Sequence, residues 1–590
     1  MKYLSKIFLA LVLLNIFLPS CHKNSLNVPP LGELSESEIA NKRGIDKLLI
    51  GAYSLLDGAG SETGTWGSAS SNWIFGSICG GEAYKGSDEL DQFDILSLSK
   101  FTTLPANSYV ADKWKAAYWG VQRANDVLRI LKKATDIGHD DSVEIAAEAR
   151  FLRGHYLFEA KKMWNNIPFV DETVTYEAGN FHIANDTSWL PIENDLHYAV
   201  DHLPVKQPAI GRINYYTAEA LLAKAYVFQH KYAAARPLLK DIIENGVNSL
   251  GVKYRLMPKY GDVFNAADKN GSEAIFVAQT SVNDGAYGVN GNYGDALNFP
   301  FFGTICCGFF QPSQYLVNHF KTDPATGLPD LDHFNDSDVT SDQGMTSDDS
   351  SFTPYSGTLD PRLDWTVGRR GIPYLDWGLH PGKNWIRDAH QAWGPYSPIK
   401  TAYYQSQQGQ VVESNSWAPI FTSNSTKLIR LADVLLWAAE VEVELGSPDV
   451  ALDYVNQVRA RAMNPAGWVH TYVDPANPML GFTDIPAANY KISTYPAGSF
   501  SDKNFALKAI RYERMLELGM EGHRFFDLVR WGIADSEINS YLTKEGTLRG
   551  QLKGAKFTKG KSEYFPIPLI QITLSAGADG VEELIQNPGY

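Results

Sequence analysis

Trp377, Trp385 and Trp393 follow one another at intervals of eight residues, in a stretch that Gly378, Pro381, Gly382, Gly394, Pro395 and Pro398 keep out of regular structure. Aromatic residues make up 12% of the 590-residue chain, and many of them stand in two segments rich in Gly, Asn and Ser, 60–110 and 250–426. A flat ring with a polar handle suits a site that is half apolar and half wet. Such a ring can stack on the apolar C–H face of a sugar while Asn, Asp, Arg and backbone groups bond the hydroxyls. Loops held on a rigid frame carry sites of this kind. By residue type and place the candidate rings are Trp66, Trp73, Tyr84, Tyr109, Tyr287, Tyr293, Trp377, Trp385 and Trp393, with Asn107, Asp295 and Asn298 as hydroxyl partners. A Trp among Gly and Pro also serves as the small core of a long loop. Trp365 and Trp385 therefore read as packing residues, and the 377–393 set as mostly structural with one ring reaching a ligand. Tyr287 and Tyr293, in a Gly/Asn loop with few other anchors, read as exposed.

Other chemistries find little support. The chain has no HExxH, no GxSxG, no P-loop and no CxxC. Gly285, Gly288, Gly291 and Gly294 form a ladder with no helix placed after it to make a phosphate site. Asp330, Asp332, Asp336 and Asp338 have calcium-like spacing, but Asn335 stands where the turn glycine belongs and Ser341 where the closing acid belongs. A solvated acidic loop is expected over 334–353, and neither metal nor cofactor. Hydrolysis of a glycosidic bond needs two carboxylates at a set separation. Glu513, Glu517, Glu521 and Asp527 instead sit among Arg511, Arg514, Arg524 and Arg530, where ion pairing accounts for them, so no enzymatic activity is expected. The net charge of −15, which falls to −17 once Lys2 and Lys6 are set aside, excludes the basic footprint that nucleic acid requires.

The elements that must position the loops are helical. Over 427–462, Leu428, Leu431, Ala432, Leu435, Ala438 and Ala439 share one helix face. Gly446 suits a helix end, and Ser447-Pro448 suits the next start. The same pattern recurs at 213–246, at 112–133 with 141–164 (Asp141 and Glu144 resembling a capping box), and at 501–532. Four pairs of about 34 residues match the tetratricopeptide period. The expected fold is mostly α: tetratricopeptide-like helix pairs forming a scaffold, long irregular loop insertions, and a few short β-strands such as 273–280. The chain end, 563–577, reads as extended.

At the N-terminus a basic start (Lys2, Lys6) precedes a twelve-residue run, Ile7 to Leu18, apolar except for Asn15. That is too short to span a bilayer, which takes about 20 residues, and fits a secretory signal. Leu18-Pro19-Ser20-Cys21 resembles a lipobox, in which Cys21 is diacylated and becomes the first mature residue. Of the remaining cysteines, Cys79 can pair with Cys306 or Cys307, or all three can stay as buried thiols; the sequence leaves both open.

The lipobox, the four helix pairs, GGEAYKG at 80–86, LDPRLDWTV at 359–367, RRGIPYLDWGLHPGKNWIRD at 369–388, ERMLELGMEGHRFFDLVRWG at 513–532 and YFPIP at 564–568 together resemble the SusD/RagB outer-membrane lipoproteins, along essentially the whole chain. The acids that often follow the anchor cysteine in such proteins are missing here, the first being Glu33. The resemblance implies a nutrient-binding lipoprotein of the outer membrane, lipid-anchored and facing the exterior, that delivers glycan to a SusC-type TonB-dependent transporter. Relatives that bind peptide, or that only support the transporter, are the alternatives. It also favours Tyr84, Tyr109, Tyr287 and Tyr293 over the 377–393 set as ligand rings. The implied organisation is a signal peptide at 1–20, a tether at 21–40, an N-terminal SusD-like part at 41–250 with two helix pairs, a loop-rich ligand-binding insertion at 251–426, and a C-terminal RagB/SusD part at 427–590 with two helix pairs.

Overall fold

Asparagine and aspartate caps mark where the helices start. The side chains of Asn41, Asn107, Asn214 and Asp502 accept hydrogen bonds from the backbone N–H groups of Gly44, Val110, Thr217 and Phe505, each worth about 1 kcal/mol. The helices they open are α1 (Lys42–Ser54), α2 (Ser108–Leu131), α5 (Tyr215–Phe228) and α9 (Lys503–Leu518). Between and beyond them lie α3 (His139–Trp164), α4 (Leu190–His202), α6 (Tyr232–Asn245), α7 (Leu431–Glu444), α8 (Pro448–Ala462), α10 (Arg524–Arg530) and α11 (Ala534–Leu548). This computed structural model describes residues 36–60, 66–174, 183–388, 392–577 and 579–590. The expected signal peptide, Cys21 and the tether as far as residue 35 lie outside them. Among the described residues no helix is long and apolar enough to cross a membrane.

From α2 to α7 each of these helices packs on the next, and α7 also receives α8 and α9. The expected stack of helix pairs is therefore present, and its apolar faces merge into one continuous core. Three helices extend it beyond the four pairs read from sequence: α1, α4 and α11. Two expected starts move. Residues 427–430 form the end of a strand, Thr426–Arg430, and α7 begins only at Leu431; pairing with Ala274–Ala278 claims that backbone first. The capping box at Asp141 is not made. Gly138 stands at the helix start, and the Asp141 carboxylate pairs with Lys42 of α1. The chain end turns helical at Leu569–Leu574 instead of staying extended.

Strands occur as two-stranded antiparallel pairs that close the long insertion back onto the frame: Ala83–Tyr84 with Gln311–Pro312, Ala274–Ala278 with Thr426–Arg430, and Val367–Gly368 with Ser397–Pro398. The N-terminal loop approaches the C-terminal motif just as closely. A Cβ on Gly76 would lie 1.8 Å from the Gly522 carbonyl oxygen, and one on Gly522 1.8 Å from the Ser71 oxygen. Only glycine permits this contact at both positions. Cys306 and Cys307 are bonded to each other, an arrangement that neither sequence alternative contained, and Cys79 is a buried thiol whose pKa burial pushes up.

The insertion is also held by charge. Arg362, Arg430, Arg459, Arg461 and Lys400 meet Asp360, Glu273, Glu513, Glu517 and Glu521 in one connected set of ion pairs. Glu513 and Glu517 come from α9, Arg459 and Arg461 from α8, and the rest from the insertion, the strands and the turn after α9. The sequence expectation that these glutamates pair with neighbouring arginines holds only for Asp527, which binds Arg514 and Arg530. Arg511 instead lies over the Trp531 ring and Arg524 reaches Glu537. Arg362 Nη1 is 2.7 Å from Glu513 and 3.0 Å from Glu517, and Arg430 Nη1 is 2.7 Å from Glu517. Against the cost of burial, Arg461, Arg430 and Arg362 hold the Glu517 carboxyl far below its ordinary range, and Arg430 with Lys400 holds that of Glu521 at about 2.

A buried pair that loses one member leaves an uncompensated charge, costing about 3–5 kcal/mol. Glu517→Ala is expected to lower stability by about that much in chemical denaturation, whereas Lys42→Ala, at the exposed pair with Asp141, leaves the midpoint where it was. Equal effects of the two variants would show that the buried cluster does not hold the fold.

Candidate functional site

Two loops, 281–293 and 411–424, meet although about 130 residues separate them. Asparagines do the joining. The Asn283 side chain accepts from the Ser414 N–H (2.9 Å) and hydroxyl (2.8 Å) and donates to the Val412 carbonyl (3.0 Å), while its own N–H donates to Glu413 (2.8 Å). Asn292 accepts from the Thr422 N–H at 2.6 Å. Within the first loop the Asp284 carboxylate accepts from Ser281, Asn290 and the Ala286 N–H, which lowers its pKa to about 2. Tyr287 itself takes a left-handed conformation, φ 53°.

Aromatic rings converge where the loops meet. Tyr293 lies flat on Phe421, centroids 4.5 Å apart with 6° between the planes, and Trp417 meets Phe421 edge-on at 5.6 Å. Gly288 has φ +86°, and a Cβ there would come within 3.2 Å of the Phe421 ring, so glycine lets the loop settle on it. Phe421 is buried and Tyr293 half-buried, while Trp417 is 61% and Tyr287 70% exposed. Two large rings thus stand in water at a junction built from fixed hydrogen bonds and a stacked aromatic base. Ser414, Asn415 and Asn290 lie exposed beside them.

Beneath the junction is a polar cleft of about 80 Å³ whose lining includes Ser71, Asn292, Asp295, Asn298, Lys400 and Lys427. That is room for a few waters, not for a sugar ring. Asp295 accepts from Ser71 and from Asn298 Nδ2 (2.8 Å), and burial raises its pKa to about 6. The Asn298 Oδ1 atom is buried without a partner.

The expected site residues therefore separate into groups. Tyr287 is exposed, and Tyr293, in the same loop, is stacked on Phe421 at the junction. Asp295 and Asn298 come together, but in the cleft below. The others point elsewhere. Tyr84 and Trp393 are buried 6.4 Å apart, the Tyr84 hydroxyl donating to Glu545. Trp73 is buried against Phe310, and Tyr109 is buried with its hydroxyl on Gln92. Asn107 is spent as the α2 cap, and Trp66 is half-buried. Trp377, half-buried, packs on Phe302 and donates to the Tyr403 carbonyl, and Trp385 stacks on Phe302 at 4.2 Å. Buried rings offer no face to a ligand, so Tyr84, Tyr109, Trp73 and Trp393 are corrected to core residues. Trp417 was missed. Its signal was in Glu413-Ser414-Asn415-Ser416, four polar residues that leave a following Trp nothing local to pack on.

Asp295 gives a pH signature. Its folded pKa lies above the ordinary carboxyl value, so its contribution to stability is fully present below about pH 4 and is lost as pH rises through about 6. Relative to Asp295→Asn, the wild-type protein is expected to lose on the order of 2 kcal/mol between pH 4 and pH 7, read by denaturation at each pH. A constant difference would mean the carboxyl is not buried as described.

The family model described as "SusD family" matches residues 272–590, and one described as "Starch-binding associating with outer membrane" matches residues 33–227. The chain is similar to SusD-like protein P25 of Formosa agariphila, 26% identical over 441 residues, covering 72% of this chain and 70% of that protein. A solved "Laminarin binding SusD-like protein" superposes with TM-score 0.63 at 22% identity over 93% of this chain and 100% of its own. Surface glycan-binding protein A from Bacteroides thetaiotaomicron in complex with laminarihexaose gives TM-score 0.62 at 20% identity, over 93% and 99%. At such identities the structural likeness shows the fold.

Proposed function

Because the chain belongs to the SusD family, we propose that it binds glycan at the aromatic junction of Tyr287 and Trp417 and passes it on unaltered. The single observation that carries this reading is the pair of large exposed rings on a rigid base. The relatives' printed functions, laminarin binding and binding of laminarihexaose, support the ligand class. In the proposed arrangement the two rings stack on sugar faces, while Asn290, Ser414 and Asn415 bond the hydroxyls from the rim. The description "associating with outer membrane" and the lipobox-like Cys21 support attachment to the outer membrane by lipid, facing outward. The partner proposed from the family resemblance is a SusC-type TonB-dependent transporter.

Binding without turnover is part of the proposal, and the state of the acids in the 513–530 motif supports it. Glu513, Glu517, Glu521 and Asp527 are consumed in buried ion pairs. None of them is free to protonate a leaving oxygen or to activate water. A peptide ligand would ask for a deep charged cavity, and the charged cleft under the rings is about 80 Å³.

Tyr287→Ala and Trp417→Ala are each expected to weaken retention on glycan-containing gels and calorimetric affinity about tenfold, or about 1.4 kcal/mol, with no reducing ends released by the wild-type protein. Unchanged affinity in the double variant Tyr287→Ala/Trp417→Ala would remove the site. Release of reducing ends would remove the non-catalytic reading.

A further inference from the structure

A second cavity, of about 290 Å³, lies away from the aromatic junction and shares no residue with it. Six separate parts of the chain build it, one of them bringing Pro373 and Leu375. The turn at Gly261–Phe264 brings Asp262, and the short helix Leu363–Thr366 brings Trp365. Tyr404 comes from the segment before 405, Trp468 and His470 from the segment after α8, and Phe482 from the strand Phe482–Pro486.

The tryptophans are fixed by their polar edges. Trp365 Nε1 donates to the Gly467 carbonyl at 2.8 Å, and Trp468 Nε1 to that of Ala462 at 2.9 Å. With the indole N–H groups satisfied inside the protein, what these rings lend to the cavity wall is aromatic surface. Phe482 stacks on Tyr472 and is still 43% exposed.

The polar groups of this cavity behave in the opposite way. Asp364 is fully engaged by Arg369 and Tyr490 and belongs to the wall. The side chains of Lys259, Asp262, Tyr404 and His470, in contrast, have no hydrogen-bond partner among the described residues. The lining thus combines aromatic walls with one cation, one carboxylate, a phenol and an imidazole whose bonding capacity the fold does not use.

We propose that this cavity is a separate binding site for one neutral pyranose- or furanose-sized sugar ring, a chain end or a branch, held between the aromatic walls and bonded through its hydroxyls to Asp262, His470 and Tyr404. Its volume lies at the lower end of small-molecule sites: enough for a single ring and too little for an oligosaccharide laid lengthwise. Opposite charges on Lys259 and Asp262 leave the rim without a net sign, which favours a neutral ligand over a uronic acid or a sulfated sugar. The ligand class is the one proposed for the junction, but the residues are different, so the two sites can fail independently.

The test uses the variant Tyr287→Ala/Trp417→Ala, in which the junction is removed, and a panel of methyl glycosides (glucoside, galactoside, mannoside, xyloside, rhamnoside, glucuronide). The readouts are tryptophan fluorescence and saturation-transfer NMR. The expected result is saturable binding of at least one neutral glycoside, weakened tenfold or more when Phe482→Ala and Asp262→Asn are added; neither side chain makes a hydrogen bond among the described residues, and circular dichroism checks that the fold is kept. No saturation by any neutral glycoside up to about 100 mM, about 100 times a Kd of 1 mM, or binding that Phe482→Ala/Asp262→Asn leaves unchanged, overturns the proposal. If Tyr287→Ala/Trp417→Ala leaves polysaccharide retention intact, the junction reading has failed instead, whatever the glycosides do.

Discussion

Glu517 is where the molecule is tied together. Its carboxylate receives Arg362 from the loop insertion, Arg430 from the end of a strand and Arg461 from α8, while it sits on α9 itself. Around it five cations face five carboxylates, Arg362, Arg430, Arg459, Arg461 and Lys400 against Asp360, Glu273, Glu513, Glu517 and Glu521. Such a cluster is not an efficient source of stability, because desolvating each charge offsets most of the attraction. It is a source of position. Every charge is compensated only when all the segments are in place, so the insertion has one low-energy way to lie on the helices.

Each longer-range feature follows from that constraint. Arg430 ends the strand Thr426–Arg430, and this strand pairs with Ala274–Ala278. Loop 281–293 leaves one of these strands and loop 411–424 enters the other. Arg430 and Glu273 stand together at the end of this pair remote from the loops, Arg430 Nη1 2.6 Å from Glu273, and the ladder from Ala274↔Arg430 to Ala278↔Thr426 brings the start of one loop close to the end of the other. Asn283 and Asn292 then close a gap that has already been made small. The exposed rings gain their rigidity from charges buried some distance below them.

This explains what could be read from the sequence and what could not. The helix pairs were legible because apolar residues at i, i+3 and i+4 report a buried face whatever they pack against. Helices α4 and α11 carry the same spacing, in Ile192, Leu196 and Ala199 and in Ile538, Tyr541 and Leu542, but neither stands in the paired arrangement that drew attention to the others. Ring exposure was harder. Tyr84 lies beside glycines, as a loop ring would, yet its hydroxyl finds Glu545 more than 400 residues away and the ring goes inside. Trp393 follows it there. Local composition marks a residue as part of a loop; it does not say whether another segment will cover that loop. The ion cluster was half legible for the same reason: the glutamates and arginines of 513–530 were visible as partners in kind, but Arg362, Arg430, Arg459 and Arg461 belong to other segments.

Tyr287 and Trp417 differ from the other rings in one physical respect. Most aromatic side chains here have either an apolar neighbour on each side or a polar tip tied to a carbonyl, as in Trp365, Trp377 and Trp468. Tyr287 makes no ring contact and no side-chain hydrogen bond among the described residues, and Trp417 meets the Phe421 edge. Exposing such surface costs free energy that burial would recover, at roughly 25 cal/mol per Å² of apolar area. The fold does not recover it at these two positions, although Phe421 and Tyr293, a few residues away, are packed face to face. Tyr287 and Trp417 are the two most exposed Phe, Tyr or Trp rings among the described residues, ahead of Phe93 at 57% and Phe482 at 43%, and the proposal leaves their covering to a ligand. That is why the proposed site rests on these two residues and not on the larger number of aromatics the sequence offers.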